Sequence, residues 1–291
     1  RYRVDVRTRE EVCGIDRKKK QVQVKRLSDG TVYREDYDVL ILSPGAEPVR
    51  PLVPGIDSDR IFTLRNVPDT DRIKNYVDET KPAQAVVVGG GFIGLEMVEN
   101  LVERGVQTTV VEMTEQVMAP LDPEMAAMVH THLREKGVKL ELGNGVSGFT
   151  EEGERLKVAT DKGKEFVADI VILAIGVRPE NQLATEAGLE VGTRGGIVTD
   201  LAMRTTDPNI FAVGDAVEVM DFVGGYPAMV PLAGPANKQG RIAADNALGR
   251  KSVFRGTQGT SIVKLFDRVA ACTGMNEKSL KRSGIAYMKS Y

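Results

Sequence analysis

VVVGGGFIGLE, residues 86–96, decides how this chain is read. Val86, Val87 and Val88 form an unbroken apolar run, the pattern of a strand covered on both faces. Three glycines interrupt it, and Ile93, Met97, Leu101 and Val102 then recur at helical spacing until Gly105 ends the helix. A second run, QTTVVE, follows as the next strand and closes on Glu112. The order is strand, glycine turn, helix, parallel strand.

Within that order Gly89-Gly90-Gly91-Phe92-Ile93-Gly94 fits G-x-G-x-x-G, and Glu112 stands 23 residues after Gly89. A bare match is weak, because glycine-rich turns are common, but this one follows a strand and opens a helix. Gly89 permits the tight turn, Gly91 lets backbone approach a pyrophosphate, and Gly94 lets helix and strand pack closely. The helix N-terminus, with Phe92 and Ile93 in its first turn, offers free N–H groups and a positive dipole end to phosphates. Glu112 is placed to accept from a ribose 2′-hydroxyl and to repel a 2′-phosphate, and no arginine directly follows it. The pattern therefore predicts NAD in preference to NADP. It does not exclude NADPH, since specificity is only a difference of affinities.

Outward from this unit the chain alternates elements. QVQVKRL, the turn Ser28-Asp29-Gly30 and TVYRED read as a hairpin. DVLILSPGAEP contains a strand expected to be covered on both faces, and Pro44, Pro48, Pro51 and Pro54 forbid regular structure after it. PDTDRIKNYVDE predicts a helix with Ile73, Tyr76 and Val77 inward. Pro123 opens another, with Met125, Met128, Val129 and Leu133 expected on its buried side and Gly137 at its end. VKLEL, RLKVAT and EFVADIVILAIG are strands, as are GGIVTD and NIFAVGD, and a helix is expected over about 235–248. The fold class is α/β with a doubly wound, Rossmann-like parallel sheet.

The 291 residues are enough for two domains, and 42% hydrophobic with 27% charged residues is ordinary for a globular protein. A net charge of −2 gives no electrostatic reason to expect nucleic acid or an anionic membrane as partner. No run is long enough to span a bilayer and no signal-peptide core is evident, so a cytoplasmic place is expected. Cys13 and Cys272 are far apart, which argues against a disulfide framework, and both read as small buried hydrophobes. His130 and His132 lie two apart on a helix and face different sides, so no metal site is expected. The ten methionines read mostly as helix-core residues.

Three more strands end in a glycine turn: VLILSPGAEP, IVILAIGVRPE and NIFAVGDAVE. The carboxyl edge of a parallel sheet is where ligands sit, and Asp215 after Gly214 is a carboxylate at such an edge. Alone it is ambiguous, because an Asp after Gly also caps turns. Taken together, VVVGGGFIGLE, AIGVRP, TTDPNIFAVGDA and PLAGPANKQGR resemble the pyridine nucleotide–disulfide oxidoreductase family over essentially the whole chain. LSPGAEP and VPLAGPANKQGR resemble its coenzyme A disulfide reductase and polysulfide reductase branch, whose relatives include NADH oxidases and peroxidases.

That resemblance implies FAD beside NADH. It places Gly89, Gly91, Gly94 and Glu112 at NADH, Gly176 near the nicotinamide, and Glu96 inward near the flavin–nicotinamide contact. It places Asp215, with Gly214, on the FAD ribityl chain, Leu232 and Ala233 beside the flavin ring, and Ser43, Pro44 and Gly45 along the FAD site. It divides the chain into an FAD-domain portion (1–67), an NAD domain (68–182), an FAD-domain continuation (183–250) and the start of a dimer-interface domain (251–291). The family's earlier G-x-G-x-x-G and its single redox cysteine are not in residues 1–42, which hold only Gly14 and Gly30 as glycines. The chain is therefore expected to be a fragment without a catalytic residue of its own. Acidic residues precede Cys13, the wrong environment for a thiolate nucleophile. The implied parent is a homodimer carrying electrons from NADH through flavin to coenzyme A disulfide, persulfide or polysulfide. An NADH oxidase or peroxidase, or a non-catalytic NADH-binding chain, are the alternatives.

Overall fold

The computed structural model describes residues 4–290. Its contacts divide the chain into two compact units, residues 1–46 with 178–259 and residues 47–177 with 260–291. These bounds fall elsewhere than 67/68, 182/183 and 250/251. Strand Ile61–Thr63 is an edge of the parallel sheet expected to start later, and hairpin 261–272 joins the core of that same unit.

The unit holding the glycine loop is built on a five-stranded parallel sheet. Its strands run in the order Ile61–Thr63, Ile170–Leu173, Gln84–Val88, Gln107–Glu112 and Lys139–Leu142. Helices α1 (Val67–Thr80), α2 (Phe92–Glu103) and α3 (Pro123–Glu135) connect them. Alternation along strand 84–88 sorts the core. Ala85 and Val87 pack with Val77, Leu95, Leu101 and Leu133 from the helices. Val86 and Val88 pack with Phe149, Leu156 and Val158 from an antiparallel sheet of strands Val146–Glu152, Arg155–Thr160 and Glu165–Ala168. The sheet is Rossmann-like, with helices on one face and a small β-sheet on the other. Asn66 caps α1 in a reciprocal box with Asp69.

The buried stripe of α2 is Leu95, Val98 and Leu101, rotated from the expected line through Ile93 and Met97, which are half-buried. On α3 the turned-in residues are Ala126, His132 and Leu133. Met125 and Met128, expected inward, are 51% and 58% exposed, and Met113, Met220 and Met288 are exposed too. Methionine is a good helix former whose apolar chain suits surface or core, so spacing alone misplaced these. The hairpin of Ser261–Leu265 and Arg268–Cys272 turns Val263 and Leu265 into the helical core, and Lys264 Nζ meets the Glu99 carboxylate at 2.7 Å.

The other unit carries the hairpin strands Gln21–Arg26 and Val32–Asp36, extended by Glu10–Asp16 into a three-stranded antiparallel sheet. It also contains α4 (Gln182–Glu186) and α5 (Ala233–Ala247). Strand Leu40–Leu42 pairs in parallel with Ile210–Ala212. The sequence predicts it covered on both faces, but Leu42 is buried and Ile41 is 40% exposed, because only the face of Leu42 turns into the core of this unit. The core here is separate, formed by Leu42, Met203, Phe211, Ala216 and Ala243. Among the described residues, no helix is long and apolar enough to cross a membrane.

Candidate functional site: two glycine-turn clusters

In the parallel sheet, strand 84–88 has strand 107–112 on one side and strand 170–173 on the other. The chain order reverses there, the position at which open α/β sheets hold ligands. The glycine loop leaves the carboxyl end of strand 84–88, and each glycine in it answers a different steric demand. Gly89 has φ +106, and a Cβ on it would stand 2.3 Å from the Ala174 carbonyl oxygen. A Cβ on Gly94 would stand 2.1 Å from the Gly89 oxygen, because α2 packs against the loop it grows from. Gly91 has nothing within 4 Å of such a Cβ. It is the N-cap of α2, and no side chain caps that terminus. The terminus thus has no side-chain cap and open space at Gly91, which suits an anionic ligand.

Gly90, the variable position of the motif, is tightly packed as well, unlike Gly91. A Cβ on it would stand 2.7 Å from Val117 Cγ1. Its N–H donates to Glu112 Oε2 at 2.7 Å, and its carbonyl accepts from Met118 N at 2.8 Å. Glu112 Oε1 accepts from both the N–H and the hydroxyl of Thr114, each at 2.8 Å. The carboxylate is thus fixed at the loop from two sides. Motif reading found Glu112 but not Gly90, Thr114 or Val117, whose parts depend on contacts no spacing encodes.

Gly176 follows strand 170–173 with φ +115, and its carbonyl accepts from Val49 N at 3.0 Å. Phe92 and Ile93 are half-buried in the first turn of α2. Glu96 stands on the exposed side of α2, and its carboxyl is pushed above the usual carboxylate range, by desolvation first and then by the charge of Glu99.

The second cluster lies in the other unit, at the carboxyl end of the parallel pair 40–42 and 210–212. Val213 N donates to the Leu42 carbonyl at 2.9 Å, so Ser43-Pro44-Gly45 and Gly214-Asp215 leave the same edge. Gly45 and Gly214 take φ of +78 and +82. Ser43 is exposed, Pro44 and Gly45 half-buried. Gln239 reaches from α5, where it is 1% exposed, and its Oε1 accepts from Gly214 N at 2.7 Å. This residue was not singled out from the sequence, although it lies inside PLAGPANKQGR. Asp215 is half-buried, and desolvation alone raises its carboxyl above the usual range. Leu232, half-buried, is the N-cap of α5, which begins at the exposed Ala233 without a side-chain cap.

Cys13 is not packed as a core residue, whereas Cys272 packs against the helical core from its edge. Cys13 is exposed on strand 10–16, where the sheet leaves its side chain facing out, and its thiol donates to the Gln23 carbonyl at 3.5 Å. Cys272 is half-buried beside Ser261 Oγ at 3.1 Å. His130 and His132 do face different sides of α3, towards Val117 N and the Leu265 carbonyl respectively. Asp122, Glu124 and Glu277 gather within 4.8 Å of one another, but Lys289 Nζ stands 2.6 Å from both Glu124 and Glu277, so the cation they hold is the chain's own.

Two glycine turns ending parallel strands, each with an uncapped helix N-terminus in its own unit, are the arrangement of a nucleotide-binding α/β protein. The pyridine nucleotide-disulphide oxidoreductase family profile matches residues 1–240. The chain belongs to that family. It is 36% identical to the NADH oxidase of Methanocaldococcus jannaschii, covering 96% of this chain and 62% of that one. It is 32% identical to the coenzyme A disulfide reductase of Staphylococcus haemolyticus, covering 95% and 62%. Among solved structures, reduced Bacillus anthracis CoADR-RHD superposes with a TM-score of 0.93 at 52% identity, over 96% of this chain and 50% of that chain. The NAD-dependent persulfide reductase from A. fulgidus gives a TM-score of 0.92 at 38% identity, over 96% and 51%. The chain therefore spans 62% of these curated relatives and about half of these solved chains.

Proposed function

We propose that this chain is the nucleotide-handling part of a flavoprotein that uses NADH to reduce a sulfur acceptor, of the coenzyme A disulfide, persulfide or polysulfide class. The observation that carries the reading is the glycine loop, an uncapped α2 terminus with open space at Gly91 and the Glu112 carboxylate fixed beside it. That cradle fits the pyrophosphate and adenosine ribose of NADH, with Gly89, Gly91 and Gly94 shaping it, Phe92 and Ile93 opening the helix, and Gly176 and Glu96 towards the nicotinamide.

The second cluster fits FAD. Ser43, Pro44, Gly45 and Gly214 leave the backbone open at one sheet edge, and Asp215 offers a half-buried carboxylate to polyol hydroxyls. Leu232 and Ala233 begin an uncapped helix whose positive end favours negative charge. Together, nicotinamide and flavin supply two-electron transfer towards the acceptor. The chain's own residues do the binding. Gly91 leaves room for phosphate, Glu112 selects the ribose, Gln239 holds the Gly214 turn in shape and Asp215 orients the polyol. The acceptor sulfur chemistry is assigned to a cysteine outside these residues, since neither Cys13 nor Cys272 is set beside a cation or helix N-terminus. A homodimer in the cytoplasm completes the reading, with NADPH as a weaker donor. Domain roles follow, FAD for the unit containing residues 183–250 and NADH for that containing 68–177.

The similarity to the Methanocaldococcus jannaschii NADH oxidase supports a second reading, in which oxygen takes the electrons. The test measures NADH consumption by the native protein, first anaerobically with coenzyme A disulfide and then with oxygen alone. Thiol formation without oxygen supports the first reading. Turnover with oxygen only supports the second, and no flavin absorption band with no turnover rejects both in favour of a non-catalytic NADH binder.

A further inference from the structure

Gly90 is held on both of its polar groups, by Glu112 at the N–H and by Met118 N at the carbonyl, and it lies directly on the Val117 side chain. Val117 and Met118 are 0% and 1% exposed, and Met118 takes φ +52, a left-handed conformation that its surroundings must hold in place. These two residues belong to no helix or strand. What ties their backbone to α3 is His130, whose Nε2 accepts from Val117 N at 3.1 Å. An accepting Nε2 carries no proton, so the neutral ring keeps its proton on Nδ1.

We propose that His130 is a positioning residue for the nucleotide loop, its neutral ring fastening the backbone on which Gly90 rests, and that protonation of the ring loosens the loop. This rests on the assignment of the loop to NADH. A protonated Nε2 turns the acceptor into a donor pointed at the Val117 N–H, and two donors face each other. Burial first, and then the Arg134 guanidinium one turn along α3, hold His130 below the ordinary histidine range. Arg134 is the charge that acts on it from its own helix. The facing segment carries two carboxylates, Glu115 beside Gly143 and Asp122 accepting from the Glu277 and Lys278 N–H groups, and Gln116, Val117, Met118 and Leu121 between them are uncharged. The sign follows from the depressed value. The support is complete above the ordinary histidine pKa of about 6.5 and is lost as pH falls through the lower folded value.

The first test needs neither ligand nor variant. Amide-exchange protection of Val117, Met118 and Gly90 is followed by NMR from about pH 8 to about pH 5, corrected for intrinsic exchange, beside the ring signals of His130. Protection at Val117 should drop about fivefold or more with the His130 midpoint, the factor that one ordinary hydrogen bond is worth. Protection that stays level through that midpoint overturns the proposal. A second test titrates NADH into the chain and into His130→Gln, whose amide oxygen can still accept from Val117 N but does not titrate. The wild type should lose affinity on acidification and the Gln variant should keep a flat profile. Parallel pH profiles in the two overturn the proposal. If neither binds NADH at any pH, the NADH assignment fails instead, and the exchange data still decide the role of His130.

Discussion

At the scale of single residues, the glycines of the loop separate fold from binding. A methyl group on Gly94 would lie 2.1 Å from the Gly89 oxygen, and both partners are backbone with no side chain to move aside. Gly94→Ala should therefore cost about 1–3 kcal/mol or more in stability, read from denaturant melts. Gly91→Ala meets nothing within 4 Å, so its melt should shift by about 1 kcal/mol at most, the price of a poorer N-cap. If the loop holds the NADH pyrophosphate as proposed, NADH affinity should nevertheless fall by about tenfold or more, a loss of at least about 1.4 kcal/mol. Equal loss of stability in the two variants would contradict this division. Glu112→Gln retains an acceptor oxygen for Gly90 or Thr114 but removes the charge. The ratio of NADPH to NADH dissociation constants should fall by about tenfold, measured by titration of both nucleotides.

At the scale of elements, α2 is fixed by the Leu95, Val98 and Leu101 stripe between the sheet and the C-terminal hairpin. Leu95 is 0% exposed, and Leu95→Ala should destabilise its unit by about 2–5 kcal/mol in a urea melt. Helix α6 (Glu277–Ser283) is held differently, by charge. Glu277 pairs with Lys281 at 2.8 Å and Lys289 at 2.6 Å and accepts from the Tyr287 hydroxyl. Those partners, led by the Lys281 bond, lower its carboxyl to about 2. A depressed carboxylate stabilises above its ordinary pKa and loses that contribution as pH falls through the folded value. Amide exchange in α6 should rise from about pH 4.5 downward to about pH 2, while strand 84–88, held by apolar packing, keeps its protection. Simultaneous loss in both elements would argue against this.

At the scale of the whole molecule, the two units carry cores with no residue in common. Each glycine turn belongs to its own unit, the glycine loop to one and the Gly214 turn to the other. A ligand that binds only the native state of one unit stabilises that unit by mass action. Calorimetry should show two transitions, with NADH raising one and FAD the other. A single transition moved equally by both would mean that the units unfold as one.

Strand 84–88, the loop after it, the hairpin of residues 21–36 and the family itself were legible in the sequence. Each is encoded by neighbours along the chain: an unbroken apolar run, glycines at fixed offsets, a residue able to take φ > 0 at a turn. The contact-derived bounds were not, because pairing of Ile61–Thr63 with Ile170–Leu173 and the burial of Val263 and Leu265 under the helices are contacts between distant segments. The outward faces of Met125 and Met128 were not legible either, since an apolar side chain at helical spacing does not reveal which way its helix is turned. The sequence by itself determined the class of sheet, the glycine loop and the carboxylate that closes it. Only the tertiary structure decided that Gly90 is packed against Val117, that Gln239 shapes the Gly214 turn, and that His130 fastens the floor of the loop. The physical reason is range: local patterns follow backbone geometry over a few residues, whereas these hydrogen bonds join residues 13 to 28 positions apart.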